Sequence, residues 1–225
     1  MISINISPHI RKKCPSLQLG CLQMKVSVHP SLEILLSMIK QEADQLATQF
    51  QIEEISQRNH IQQTRLAYKA LGKKPGRYRP SAEALMRRVV SNKGLYQINN
   101  VVDILNYISM SSGYSIGGYD LDHISGDPEL TIGIQNEPYE AIARGQLNVG
   151  NLPVLRDDLG AFGSPTSDSA RTSVTEHTQR FLMVFFDFGN SPDLVNWIDQ
   201  ATKVFQLHAG ADKIKNWVVP YKITL

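Results

Sequence analysis

The stretch RYRPSAEALMRRVVSNKGLYQINNVVDILNYISMSSGYSIGGYD, residues 77–120, decides how the chain is read. After Pro80-Ser81, which suit a helix start, Ala82, Leu85, Met86 and Val89 recur at helical spacing until Asn92-Lys93-Gly94 ends the run. A second helix opens near Asn99-Asn100, keeps Val101, Val102, Leu105 and Ile108 on one apolar face, and stops at Gly113. Along it Asn99, Asp103, Asn106 and Met110 follow at steps of four, three and four residues, so carboxamides and a carboxylate share one stripe. That stripe is either a solvated face or the polar lining of a site. Gly117-Gly118 permits positive φ and close backbone approach, and reads as a tight turn or as a surface against which a ligand lies.

Outward from this stretch the elements change in kind. On the N-terminal side Ser3–Ile10 and Gln18–Val28 alternate as strands, with Pro15 between them. Pro30-Ser31 introduces a helix bearing Leu32, Leu35, Leu36, Ile39, Ala43 and Leu46, and another helix spans about Ile61–Leu71 before the breaker Pro75-Gly76. On the C-terminal side short strands at Leu130–Ile134 and Leu152–Leu155 lead to a hairpin turn at Arg156-Asp157-Asp158-Leu159-Gly160. Phe181–Phe188, nearly all apolar, reads as a buried central strand. Ser191-Pro192-Asp193 starts a helix carrying Leu194, Val195, Ile198, Ala201, Val204 and Phe205 until Gly210, and Asn216–Thr224 reads as an edge strand. The expected fold class is α+β, with helices packed on antiparallel or mixed β-sheets.

Composition sets the bounds. A chain of 225 residues with 42% hydrophobic and 20% charged side chains can bury one sizeable core, and no Pro/Gly/Ser-rich linker divides it, so residues 1–225 are expected to form a single domain. Its first 60 residues form a strand-helix extension. Cys14 and Cys21 are the only cysteines and lack a second Cys/His pair, which predicts two buried thiols and no zinc site. The start lacks a secretory apolar core and no run reaches membrane-spanning length, so a cytoplasmic protein without membrane association, metal or cofactor is expected.

Charge is segregated. Ten basic side chains and one acidic one, Glu83, lie between Arg58 and Lys93, a net +9 in a chain whose total is +2. Lys73, Lys74, Arg77, Arg79, Arg87 and Arg88 are therefore candidate phosphate contacts, with Tyr68, Tyr78 and Tyr96 interleaved as candidate base-stacking rings; a merely solvated basic surface is the alternative. Farther along, Gly163–Ser173 is rich in hydroxyls, and Arg171 within it carries a planar fork suited to phosphate or carboxylate. Ser169 has neither a Gly-x-Ser-x-Gly elbow nor an obvious histidine partner.

Tyr78-Arg79-Pro80-Ser81-Ala82-Glu83-Ala84-Leu85, Arg87-Arg88, Ile98-Asn99-Asn100-Val101-Val102-Asp103, Asn106-Tyr107 and Gly117-Gly118-Tyr119-Asp120-Leu121-Asp122 together resemble the B3/B4 domain. That domain occurs in the β subunit of phenylalanyl-tRNA synthetase and in free-standing proteins. The resemblance runs from about residue 65 to residue 190 and is closer to the free-standing branch. It implies a tRNA or aminoacyl-tRNA partner and hydrolysis of misacylated aminoacyl-tRNA in trans. Aminoacylation itself is not expected, because the chain lacks the adenylate-forming core. The alternatives are a non-catalytic RNA-binding module and a small-metabolite pocket for an amino acid or nucleoside.

Departures from the synthetase pattern fall at pocket positions. Glycine, Gly117, stands where the synthetase has a histidine, and its late-strand glutamate falls near Val184. Under the editing reading catalysis would pass to Asp120, Asp158, Asp168 or Ser169. Asn106, Gly117, Gly118, Arg171 and Thr172 would hold the substrate. Hydrolysis of an activated ester needs chiefly positioning and carbonyl polarisation. The whole proposal expects the basic residues, the Gly117-Gly118 bend and Arg171 to share one electropositive crevice.

Overall fold

The computed structural model describes residues 1–220. In chain order the strands and α-helices are β1 (Asn5–Ile6), α1 (Pro8–Lys13), β2 (Gln18–Lys25), α2 (Glu33–Gln49), α3 (Asn59–Ala70), α4 (Ser81–Val90), α5 (Asn100–Ser112), β3 (Ser115–Asp120), β4 (Glu129–Ile132), β5 (Glu140–Ala141), β6 (Gly145–Gln146), β7 (Pro153–Asp157), β8 (Gly160–Gly163), β9 (Arg180–Asp187), α6 (Leu194–Ala209) and β10 (Asp212–Val219). The fold is α+β. One four-stranded sheet, ordered β10-β2-β9-β3, is antiparallel throughout; a second, ordered β1-β4-β7-β8, is mixed because β1 runs parallel to β4; β5 and β6 form a separate antiparallel pair.

Alternation along β9 explains the layering. Phe181, Met183 and Phe185 point to one face, where they meet Met86 of α4, Ile104 and Ile108 of α5, and Ile198 and Phe205 of α6. Leu182, Val184 and Phe186 point to the other, against Leu130, Leu155 and Phe162 of the mixed sheet. The central sheet is thus covered on both faces, which is why β9 reads as a continuous apolar run rather than an alternating one.

Helix ends follow local chemistry. The Asn99 side chain accepts from the Val102 amide at 2.9 Å, and Gly113 closes α5 at φ 82. Gly210, at φ 56, does the same for α6. Three expectations need correcting. Residues 3–10 do not form one strand: Ser7 caps a helix whose first residue is Pro8, so only Asn5–Ile6 pairs with β4. Gly117-Gly118 is not a turn but the middle of β3. Leu32 and Val195, assigned to packing faces, are exposed. The final strand is an edge, as its pattern indicates, but runs over Asp212–Val219; residues 221–224 of the expected strand lie outside the described residues.

Among the described residues no helix is long and apolar enough to cross a membrane. Both cysteines are free and buried, and burial pushes the Cys14 thiol up to about 11 and Cys21 higher still.

Candidate functional site

The glycine pair lies in β3 because each face of the strand has a reason to exclude a side chain. A methyl group on Gly118 would run into Leu105 of α5 and Phe181 of β9; one on Gly117 would run into the Tyr119 phenol, which also fills the space over Gly163 of β8. The Tyr119 ring stands edge-on to Phe162, with centroids 5.0 Å apart, and its hydroxyl donates to Asp168 at 2.9 Å. The Gly118 amide donates to the other oxygen of the same carboxylate at 3.2 Å. Burial pushes Asp168 up to about 7, although bonds from Tyr119, Gly118 and Ser164 favour its charged form.

Register places the Gly117 and Val184 positions side by side: the two are cross-strand partners and so neighbours on one face of the sheet. Here they carry a hydrogen atom and an isopropyl group beneath Tyr119, in a core that also holds Phe162, Leu182 and Phe186.

Of the other candidate catalytic groups, Asp120 and Ser169 are engaged elsewhere and Asp158 is exposed. Asp120 is buried and accepts from the Thr178 hydroxyl at 2.7 Å and the Asp122 amide at 3.0 Å. Asp158 occupies the exposed β7–β8 turn. Ser169 is buried, and its hydroxyl accepts from the Arg171 amide at 3.3 Å. Thr172 is fully buried and its hydroxyl has no hydrogen-bond partner among the described residues.

Arg171 does not offer a free fork. Its two terminal nitrogens meet the Asp157 oxygens at 2.8 and 3.0 Å, and they also donate to the His123 and Gly160 carbonyls. This pairing and amides from Ser125 and Leu159 hold the Asp157 carboxyl below the usual range despite burial.

The basic residues divide into two groups. Arg79 and Arg87 sit four residues either side of the buried Glu83 and turn onto it at 3.6 and 2.9 Å, joined by Arg65 of α3 at 2.7 Å. Three arginines share this one buried carboxylate and offset its desolvation, so they are structural before they are ligands. The second group faces outward. Lys73 lies 3.8 Å above the Tyr78 ring with Arg77 5.7 Å from its centre, and Lys74 is exposed beside them. Arg88 stacks 3.9 Å over the exposed Tyr96. The expected single crevice is therefore absent: Tyr119 fills the space at Gly117, and Arg79, Arg87 and Arg171 are paired with carboxylates.

Asn106 lies elsewhere, in a cleft of about 410 Å³ between α2, the end of α4, residues 92–97 and α5. The Asn99–Met110 stripe is not a solvated face. Asp103 is buried, accepting from the Ser31 hydroxyl at 2.6 Å and the Ile98 amide at 3.0 Å, and Met110 is buried too.

One cluster has no signature in the sequence. His60 of α3 stacks on Tyr114 at 3.7 Å, its Nε2 meets Asp193 at 3.1 Å and its Nδ1 meets Ser191 at 3.3 Å. Tyr114 and Trp197 also donate to Asp193, at 2.8 and 3.2 Å. The connectivity is that of a Ser-His-Asp triad. Ser191, however, is buried and shares its hydroxyl with Asp187 at 3.2 Å, so the group clasps α3 to the start of α6. Among the described residues no three His, Cys, Asp or Glu side chains are placed to hold a metal ion.

An α+β fold with α4, α5 and α6 on one face of its antiparallel sheet and a mixed sheet on the other is the class these features define. The model of the B3/4 domain family matches residues 63–191, more than half of the sequence, and the chain belongs to that family. A solved N-terminal fragment of the phenylalanyl-tRNA synthetase β-subunit from Pyrococcus horikoshii is similar, with a TM-score of 0.48 at 12% identity, covering 97% of this chain and 54% of the fragment. The chain thus spans about half the length of that structure. No curated protein matches the chain.

Two predictions follow from the Tyr119 contact. Gly117→His alone should lower the unfolding free energy by about 1–3 kcal/mol, the usual cost of overpacking, and should cost less in a Tyr119→Ala background than in the parent, as a double-mutant cycle in denaturant will show. Asp168 binds its proton more tightly folded than unfolded, so its contribution is full below about pH 4 and is lost as pH rises to about 7. Asp168→Asn should flatten that part of the stability–pH curve and raise stability relative to the parent above pH 7, measured by denaturant titration at each pH.

Proposed function

We propose that this chain is a B3/4-type RNA-binding domain that engages tRNA through its outward cations and does not use the synthetase-type hydrolytic pair. The observation that carries the reading is the pairing of Gly117 with Val184 beneath Tyr119. Neither residue can transfer a proton, and the phenol occupies the volume a substrate would need. General acid–base assistance requires a titratable group within hydrogen-bond reach of the reacting atoms.

Binding rests on the Lys73–Tyr78 turn and the Arg88–Tyr96 pair. Each places a cation against an exposed or half-buried ring, an arrangement that suits a phosphate beside an unstacked base. The motif resemblance to the synthetase domain supports tRNA as the RNA. The same reading takes residues 1–225 as one unit, because β2 from the N-terminal extension is the sheet neighbour of β9 from the matched region.

Fluorescence anisotropy with tRNA across a salt series tests binding. Lys73→Ala/Lys74→Ala/Arg77→Ala should weaken it about tenfold or more and reduce the log–log salt slope by about 2, whereas an unchanged slope contradicts the interface. In the same preparation a panel of misacylated tRNAs should show no ester loss above buffer, and hydrolysis of any one would restore the editing reading.

A further inference from the structure

We propose that the cleft between α2, α4, residues 92–97 and α5 binds a small organic cation, a protonated amine carried on an apolar body. The proposal is independent of RNA binding. The cleft, at about 410 Å³, falls in the range of small-molecule sites. Its hydrocarbon comes from three sides: Ile39 and Ala43 of α2, Val89 of α4, and Leu95 of the connecting segment.

Its charge selects the ligand. The ionisable side chains lining the cleft are Glu33, Asp44 and Asp103 against Lys40 alone, and Lys40 is already bound to Asp44 at 2.6 Å. The uncompensated charge is negative, although the cleft borders the most basic part of the sequence. The nearby arginines turn away from it, Arg87 to Glu83 and Arg88 to the carbonyls of Lys93 and Gly94.

Asp103 is the anchor. It is buried, and its oxygens accept one bond each from neutral donors, the Ser31 hydroxyl and the Ile98 amide. A carboxylate has about four lone-pair sites, so accepting capacity remains. Asn106, one turn farther along α5, lines the same cleft, is half-buried, and has no hydrogen-bond partner among the described residues. A buried carboxylate without a cation and an idle carboxamide beside hydrocarbon favour an ammonium group with an apolar body. An anionic ligand would bring a second negative charge to Asp103.

Phenethylamine titrated into the ¹⁵N-labelled full chain is the test. Saturable shifts are expected at Val89, Leu95 and Asn106, with phenylacetate binding at least about tenfold more weakly. Asn106→Leu should weaken phenethylamine about fivefold or more, and Ala43→Phe, which fills the floor, should abolish binding. Because Asn106 supports no other group through a hydrogen bond among the described residues, its variant keeps the test valid if Ala43→Phe does not fold. No saturable shift by about 10 mM phenethylamine, equal affinity for phenylacetate, or an Asn106→Leu variant that binds as the parent does would each overturn the proposal.

Discussion

The contact between the Tyr119 hydroxyl and the Asp168 carboxylate sets the shape of the molecule's interior. The phenol fills the gap between the two sheets and is pressed by the backbone of Gly117 on one side and Gly163 on the other. Desolvating Asp168 is costly, and the cost is offset by three donors, one of them the Gly118 amide of the edge strand β3. The bond therefore fixes the 164–169 loop against β3, dictates glycine at two positions, and closes the face on which Gly117 and Val184 are neighbours. A pocket there would need a smaller residue at 119.

A second constraint governs the cations. Three of the basic side chains between Arg58 and Lys93 converge on Glu83, the one carboxylate of that segment, and Arg171 is committed to Asp157 in the same manner. Formal charge along the chain thus overstates the charge available to a ligand. What remains outward is a smaller set, in which Lys73, Arg77 and Arg88 lie against tyrosines and Lys69, Lys74 and Lys93 are exposed. Removing these rather than Arg79 or Arg87 separates a loss of binding from a loss of fold.

Helical periodicity and end signals were legible. The apolar spacing and caps of α4, α5 and α6 place them within a residue or two, and the unbroken run of β9 marks a strand covered on both faces. The misreadings share a cause. Gly117-Gly118 carries the composition of a turn, yet its glycines answer to Tyr119, Leu105 and Phe181, and contacts across a sheet leave no local signature. Residues 3–10 alternate as a strand until the Ser7-Pro8 pair, whose capping role was the better signal. Glu83 could have been found, because Arg79 and Arg87 stand at helical spacing on either side of it. The His60–Asp193 clasp could not, since its members are more than 130 residues apart.

The central claim is that β3 runs straight through the glycine pair and is held by Asp168 beneath a packed Tyr119. Native-state hydrogen exchange of the Gly118 amide measures this directly. The account predicts exchange only through global or near-global opening, with a denaturant dependence matching that of the β9 amides. Fast exchange independent of denaturant, as in a solvent-exposed turn, would contradict it.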